Sequence, residues 1–398
     1  MNPQPTPEHE IERRYDAVVV GARCAGAATA MLLARQGLRV LAVERSRHGA
    51  DTLSTHALMR VAVLQLSRWG VLERVAAAGT PRVRETHFHY EDEVTTVPIK
   101  ARDGVDGLYA PRRSLLDALL VDAAVASGVT VLHETRVLDL LRGAGDRVDG
   151  VVIQSASAGP VAVEAGIVVG ADGRSSTVAS RVAAATTHSG RFSSAVIYAY
   201  FAGIERTGYH FLYGPSTSAG VIETNPGEDG RPQLCVFAAM SDRRFLERER
   251  FDLAAGFERV VRETSPRLAE EVARGERVTP LRGFAGAVGY FRQSWGPGWA
   301  LVGDAGYFKD PITAHGITDA LRDSELLARA IASGTDAALA AYQEQRDAVS
   351  RDLFDATDAL ASYDWSMEEV QALHLRMSKS MGPELEIVKE WDELAMTA

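Results

Sequence analysis

The sequence predicts an α/β protein in which a domain of parallel strands and helices is interleaved with a mostly antiparallel sheet, with a helical tail behind them. Three observations predict it. Valine-rich runs alternate with helix-forming stretches near the N-terminus, the pattern of buried parallel strands joined by crossover helices. The middle of the chain changes to short alternating segments broken by Gly, Pro and Asn, as antiparallel strands require. From Thr318 onward apolar residues recur at helical spacing.

A chain of 398 residues is long enough for two packed domains and a tail. Its 46% hydrophobic and 24% charged content is that of an ordinary globular protein. A net charge of −10 argues against nucleic-acid binding, which calls for a basic face. No apolar run approaches the roughly 20 residues needed to span a bilayer. Residues 1–14, rich in Pro and Glu, read as a disordered lead-in and not as a signal peptide. Two cysteines without paired spacing, Cys24 and Cys235, fit a reducing cytoplasm and give no Cys-based metal site; no metal is expected. The expected division assigns the parallel-stranded domain residues 15–84, 99–182 and 283–335. The sheet domain takes 85–98 and 183–282, and the C-terminal helices 336–398.

The first βαβ unit carries the clearest chemistry. A strand over residues 15–20 (YDAVVV) runs into GARCAG, residues 21–26, then into a helix over 27–36 that ends at Gly37. A second strand, residues 39–43, ends in Glu44 and Arg45. Gly21 permits the tight turn out of the strand, and Gly26 lets the helix pack closely on it. The free N–H groups around Arg23, Cys24 and Ala25 at the helix start can face a pyrophosphate, helped by the helix dipole. Glu44 stands where a carboxylate can accept hydrogen bonds from a ribose diol. Arg23 replaces the middle glycine of the usual G-x-G-x-x-G pattern; its N–H remains available, and its guanidinium can lie beside phosphate oxygens. The plain alternative is a βαβ unit with no ligand.

Three more signals follow. Residues 164–170 (EAGIVVG) lead into ADGRSS, and residues 299–302 (WALV) lead into GDAG and then YFKDPITAHG, residues 307–316. Between the first unit and these lies PRRSLLDALL, residues 111–120. In this order and at these intervals they resemble the flavoprotein monooxygenases related to para-hydroxybenzoate hydroxylase, a scaffold shared by geranylgeranyl reductases and flavin-dependent halogenases. The resemblance spans about residues 15 to 350.

The resemblance implies a Rossmann-like FAD-binding domain of the glutathione reductase type and FAD as the cofactor. It places Asp304, after Gly303, on a hydroxyl of the ribityl chain. It associates Asp172 and Gly173 with both FAD and NAD(P)H, and puts Arg113 near the FAD phosphates, with Arg112 a rival for that role. Pro311, Ala314, Gly316 and Ile317 would edge the isoalloxazine, where N–H groups at a helix start suit the negative charge of reduced flavin. Arg45 and Val137 complete the expected cofactor-binding set. Each residue also has a plain reading: turn chemistry for Asp172-Gly173, an N-cap for Asp304, a solvated arginine for Arg113.

The departures are informative. The hydroxylases carry Pro-x-x-Gly-Gln-Gly-Met-Asn at the flavin edge, and this chain has Ala314, His315, Ile317 and Thr318 at the first Gly and at the Gln, Met and Asn places. His315 could hydrogen-bond the flavin or give up a proton, or it could head the helix and face solvent. The halogenase W-x-W-x-I-P motif is absent, the local tryptophan pair being Trp295 and Trp299, and residues 51–60 hold no match to the halogenase lysine.

The sheet domain is read from residues 195–204, 208–214, 219–224 and 233–240, joined by 85–98. Its candidate substrate-lining residues are Tyr198, Tyr200, His210, Phe211, Tyr213 and Phe237, with Phe201 beside them. Alternation with a period of 2 does not say which parity faces inward. As a set they favour an apolar small molecule, aromatic or polycyclic. His56, following Thr52, Ser54 and Thr55, is the first choice for an acid/base residue, the alternative being a loop histidine with local hydrogen bonds. The apolar stripe of the tail (Trp365, Leu373, Leu375, Met377, Met381) suits packing or an oligomer contact, in a monomer or homodimer.

The activity these features suggest is a monooxygenase. NAD(P)H binds transiently in a groove and reduces the flavin, O₂ is activated at its C4a position, and an electron-rich substrate is oxygenated. A second reading keeps FAD and drops oxygen: a reductase or dehydrogenase acting on C=C or C–C bonds of an isoprenoid-like molecule. A third is a flavin-binding regulator without turnover.

Overall fold

The computed structural model describes residues 12–156 and 158–391. The expected lead-in falls largely on residues 1–11, outside the described residues, and Arg14 already belongs to the first strand.

That strand, Arg14–Val20, is wholly apolar from Ala17 on because both its faces are covered. It pairs in parallel with Val40–Val43 on one side and Val161–Gly170 on the other, and Thr130–Leu132 and Trp299–Leu301 extend the parallel set outward. The helix Cys24–Arg35 crosses over between the first two strands. An antiparallel extension, Thr135–Arg142 with Val148–Ser155, hangs from Val161–Gly170.

The second sheet runs in the order Glu276–Arg277, Ser194–Ala202, Gln233–Ser241, Thr217–Thr224, Tyr209–Gly214, Glu85–Tyr90, Glu93–Pro98. Every neighbouring pair is antiparallel except Tyr209–Gly214 with Glu85–Tyr90, which is parallel. The parity left open by the sequence is settled by what covers each face. Ala195, Ile197, Ala199 and Phe201 pack with Phe257, Val260 and Leu268 of the helices Leu253–Thr264 and Pro266–Arg274. Tyr198, Tyr200, Phe211 and Tyr213 face the other way, into the main core shared with the parallel-stranded domain. Alternation therefore sends His210 to the face opposite Phe211.

Beyond these sheets come Gly316–Ser333, which packs along the first helix, then Asp336–Ala361, Met367–Ser380 and Gly382–Glu390. Trp365, Leu373, Met377 and Met381 pack against the main core, while Leu375 is 64% exposed. The fold is the expected one: a Rossmann-like α/β domain interleaved with a mostly antiparallel sheet and followed by helices. Among the described residues no helix is long and apolar enough to cross a membrane.

Candidate active site

At the end of the first strand, Gly21 has φ +93°, and a Cβ there would lie 2.5 Å from the Ala171 carbonyl oxygen. A Cβ on Gly26 would overlap the Gly21 carbonyl oxygen. Both glycines are thus demanded by close approach, Gly21 also by its dihedral. Arg23 is extended and gives no side-chain cap, so among the described residues the first-turn N–H groups of Cys24–Arg35 have no side-chain partner. Glu44 is buried and accepts hydrogen bonds from the Ala22 N–H at 2.9 Å and the Ser46 N–H at 2.8 Å. A cleft lies beside it, lined in part by Arg23, Ala50, Asp117 and His133.

Asp117 is the hub of this end. Its carboxylate takes both guanidinium contacts of Arg113 at 3.1 Å, Arg23 at 3.3 Å and the Cys24 thiol at 3.0 Å. Burial pushes the Cys24 thiol well up, so it stays protonated. The sequence placed Asp117 in a motif without giving it a role; that it follows Arg113 by one helical turn was the available signal. Arg45 is exposed at the tip of the second strand. Val137 packs on the core beneath the opposite face of the parallel sheet from the first helix.

Asp172 caps the short helix Thr177–Arg181, accepting from the Ser176 hydroxyl at 2.5 Å and the Thr177 N–H at 2.6 Å, and Gly173 has φ +81°. Both Asp172 oxygens are therefore engaged within their own turn. Asp304 differs. The turn Gly303–Ala305 is pressed against the first helix, since a Cβ on Gly303 would lie 2.8 Å from the Ala25 Cβ. Among the described residues the Asp304 carboxylate accepts no hydrogen bond; burial raises its pKa while Arg174, Arg113 and Lys309 pull it down. An unpartnered carboxylate beside an uncapped helix start is a cradle that fits a nucleotide cofactor with hydroxyls along its chain.

The next loop carries Pro311, Ala314 and Gly316. Asp310 ties it to the second sheet, accepting from the Ser194 N–H at 2.6 Å, the Ser194 hydroxyl at 2.5 Å and the Ile312 N–H at 3.0 Å. Burial pushes Asp310 up to about 6 against those bonds. A narrow cavity of about 30 Å³ separates this loop from the sheet, with Thr55, Pro311, Ile312 and Ala314 on one side and Phe211, Tyr213, Ser218 and Phe237 on the other.

Tyr198 lies beside the cavity, its hydroxyl accepting from the Ser54 N–H at 3.2 Å. Tyr200 stacks on His56 at 5.7 Å and carries the Arg112 guanidinium over its ring at 3.9 Å. The two neighbouring arginines thus part company, Arg113 toward Asp117 and Arg112 toward the sheet, where it also bonds Gln233. His210 lies away from the cavity, stacked on His87 at 4.4 Å and bonded to His89 at 3.0 Å.

His56 is buried with φ +52°, and its Nδ1 lies 3.1 Å from the Ala110 carbonyl oxygen, which makes Nδ1 the donor and leaves Nε2 without a partner among the described residues. Burial, then Arg112, pushes its pKa down to about 3. The ring is neutral at ordinary pH and suited to accept a hydrogen bond.

His315, just before Gly316–Ser333, is fully buried and faces no solvent. Its Nε2 lies 2.8 Å from Glu384 of the C-terminal helix. Arg322 reaches Asp323 at 2.7 Å, Glu384 at 3.1 Å and Asp319 at 3.2 Å, and Lys309 pairs with Asp319. Burial, then Arg322, pushes Lys309 down to about 7. Burial opposes the charge on Glu384 too, yet His315 and Arg322 hold it below the usual carboxylate range. No sign of this network was legible in the sequence, because charges at helical spacing ordinarily mark a solvated face.

A family model described as an FAD binding domain matches residues 14–357. The chain is similar to digeranylgeranylglycerophospholipid reductase of Methanothrix thermoacetophila, 27% identical over 366 residues spanning 85% of each chain. It is also similar to aklavinone 12-hydroxylase RdmE of Streptomyces purpurascens, 25% identical over 350 residues, or 75% of this chain and 64% of that one. In solved structures the fold is like that of flavin-dependent brominase Bmp2, with a TM-score of 0.77, 20% identity, and coverage of 96% of this chain and 94% of that one.

Proposed function

The chain belongs to the FAD binding domain family and is an FAD-dependent oxidoreductase; on that premise we propose that it is a monooxygenase that uses NAD(P)H and O₂ to oxygenate an apolar aromatic or polycyclic small molecule. The observation that carries this reading is the cavity between the Pro311 loop and the aromatic face of the second sheet. FAD, when bound, supplies the redox chemistry: it accepts electrons from NAD(P)H and activates O₂.

The chain's own residues bind, orient and exclude water. The uncapped N–H groups at the start of Cys24–Arg35, with Arg113 nearby, would hold the phosphates of FAD. Glu44 would accept from its ribose, and Asp304 from a hydroxyl further along. The uncapped start of Gly316–Ser333 would offer N–H groups that suit negative charge on the reduced ring. His56 Nε2, neutral and unpartnered, accepts a hydrogen bond from a bound donor. Phe211, Tyr213 and Phe237 hold an apolar ring against the loop and keep water out.

One observation favours a second reading. The reductase relative aligns over 85% of this chain, so reduction of an isoprenoid-like C=C bond is the alternative. The test is NAD(P)H oxidation by the FAD-loaded protein over a panel of aromatic and isoprenoid compounds, with and without O₂. Stimulation by an aromatic compound that requires O₂ supports the monooxygenase. Equal turnover under nitrogen, with a carbon acceptor reduced, supports the alternative.

A further inference from the structure

The cavity's shape follows from two cross-strand rows of the second sheet. In one row Phe88, Phe211, Gly220, Phe237 and Tyr198 stand opposite one another in turn across five strands. In the next, the order is Tyr90, Tyr213, Ser218, Ala239 and Val196. Side chains directly opposite share a face. Small residues, Ser218 and Ala239, therefore form the floor beside the Phe237 ring, which lies over Gly220, and Phe211 and Tyr213 stand along it. That is a slot, and Pro311, Ile312 and Ala314 close it from above.

Gly220 keeps the slot open. A Cβ there would overlap the Phe237 ring and would lie 2.8 Å from the His210 carbonyl oxygen. The Phe237 ring thus rests in the space a side chain on Gly220 would fill, and is kept out of the cavity.

Ser218 supplies the polar end. Its hydroxyl lies 2.8 Å from that of Tyr363, which follows the helix Asp336–Ala361 and packs on Val196 and Ala239. Both side chains are 3% exposed. Two hydroxyls bonded to each other use one of their two protons, and among the described residues the second proton has no acceptor. Burial pushes the Tyr363 phenol well up, so it keeps its proton and can donate. Either hydroxyl can donate to the other, but Ser218 lines the cavity and Tyr363 does not, so a ligand oxygen that meets Ser218 completes the pair with Tyr363 donating to Ser218 and Ser218 to the ligand.

We propose that Ser218, oriented by Tyr363, and Gly220, which seats the Phe237 ring, make this pocket specific for a flat fused aromatic ring bearing a carbonyl or phenolic oxygen at the end that meets Ser218. The proposal rests on the reading above only in taking this cavity as the substrate site. Tyr363 is a positioning residue, and Ser218 and Gly220 determine specificity.

The test uses the oxidised, FAD-loaded protein without electron donor, titrated with 2-naphthol or naphthalene while the flavin absorbance is followed. Ser218→Ala and Tyr363→Phe should each weaken 2-naphthol roughly three- to tenfold, the loss of one hydrogen bond, and leave naphthalene within a factor of about two. A merely structural role for Tyr363 would weaken both probes alike. Gly220→Ala should weaken both probes at least about tenfold with FAD retained, as the displaced Phe237 ring enters the slot. Phe237→Leu, which removes the ring without crowding the floor, should let the larger 1-hydroxypyrene bind more tightly than in the unsubstituted protein. It decides the matter if Gly220→Ala fails to fold.

The proposal is overturned if neither naphthyl probe binds the unsubstituted protein, if the hydroxyl variants weaken both probes equally or neither, or if Phe237→Leu gives the larger ring no advantage. No electrons or O₂ enter this experiment. A failure of the monooxygenase reading, seen in oxygen-independent turnover, would therefore be separate from a failure here.

Discussion

Asp304 illustrates a conflict between stability and binding within one side chain. Its carboxylate is buried enough for its pKa to rise and accepts no hydrogen bond among the described residues, so its charge costs the folded protein free energy at neutral pH. Asp304→Asn should therefore leave the melting temperature of the FAD-free protein unchanged or raise it. FAD affinity should fall by about ten- to a hundredfold, as expected for a lost hydrogen bond to a charged group of about 1.5–3 kcal/mol. Differential scanning fluorimetry and a flavin fluorescence titration read the two effects separately; a lower melting temperature with unchanged FAD affinity would mean that Asp304 is a structural cap.

His56 gives a second expectation at the residue scale. With its pKa pushed down to about 3, it carries no proton through the working range. A pH profile of flavin reduction should show no inflection that disappears in His56→Gln. Loss of an inflection near pH 6 to 7 in that variant would restore the acid/base role.

The parts of the site differ in how readable they were. The glycine turn was legible because Gly21 and Gly26 each answer a steric demand that few other residues can meet. Asp304 and Pro311 were singled out through the resemblance of their motifs, and the structure shows the first as a buried carboxylate and the second on the loop that lines the cavity. Asp117 was half legible: the motif was visible, its three partners were not. His56 was found by position, but only its burial beside Arg112 shows that it is neutral.

At the scale of elements, the C-terminal helix Gly382–Glu390 is tied to the start of the helix Gly316–Ser333 through Glu384, which meets both His315 and Arg322 in the buried interior. Removing one partner of such a network leaves the others buried and uncompensated. Glu384→Gln should destabilise the protein by about 3–5 kcal/mol. It should also loosen the loop from Lys309 to Gly316, lowering FAD affinity. Urea unfolding and FAD titration check the two parts, and a loss below about 1 kcal/mol would show that the network is dispensable.

This network was illegible for a physical reason. Asp319, Arg322 and Asp323 sit at spacings that also suit a solvated helix face, Lys309 precedes that helix, and Glu384 lies far along the chain. Only the packing of the last helix decides between the two. The parity of the second sheet was hidden in the same way, since alternation has two solutions and the helices Leu253–Thr264 and Pro266–Arg274 choose one. The four central strands of that sheet were readable, their ends moving by only a residue or two, whereas 85–98 is two strands, Glu85–Tyr90 and Glu93–Pro98.

For the whole molecule, several histidines are held neutral by burial: His56 near 3, and His89, His210 and His374 near 4, against an ordinary value of 6.5. A base whose folded pKa is depressed gives stability that is fully present above its unfolded value and lost as pH falls toward the folded one. The unfolded chain binds more protons between about pH 6.5 and 4, so stability should fall steadily across that window. Chemical unfolding at a series of pH values checks this. His374→Gln, which keeps a polar partner for the Tyr90 hydroxyl now 2.8 Å from His374 Nδ1, should flatten the slope; an unchanged slope would remove His374 from the account.

On the same scale the proposed chemistry depends on the cofactor held at the glycine turn meeting the aromatic cavity at the Pro311 loop. The most direct measurement is the fate of isotopically labelled O₂ during NAD(P)H oxidation in the presence of an aromatic compound that perturbs the flavin spectrum. The account predicts one labelled oxygen atom in the product and close coupling of NAD(P)H oxidised to product formed. A product that gains hydrogen and no label, at a rate unchanged under nitrogen, would contradict it.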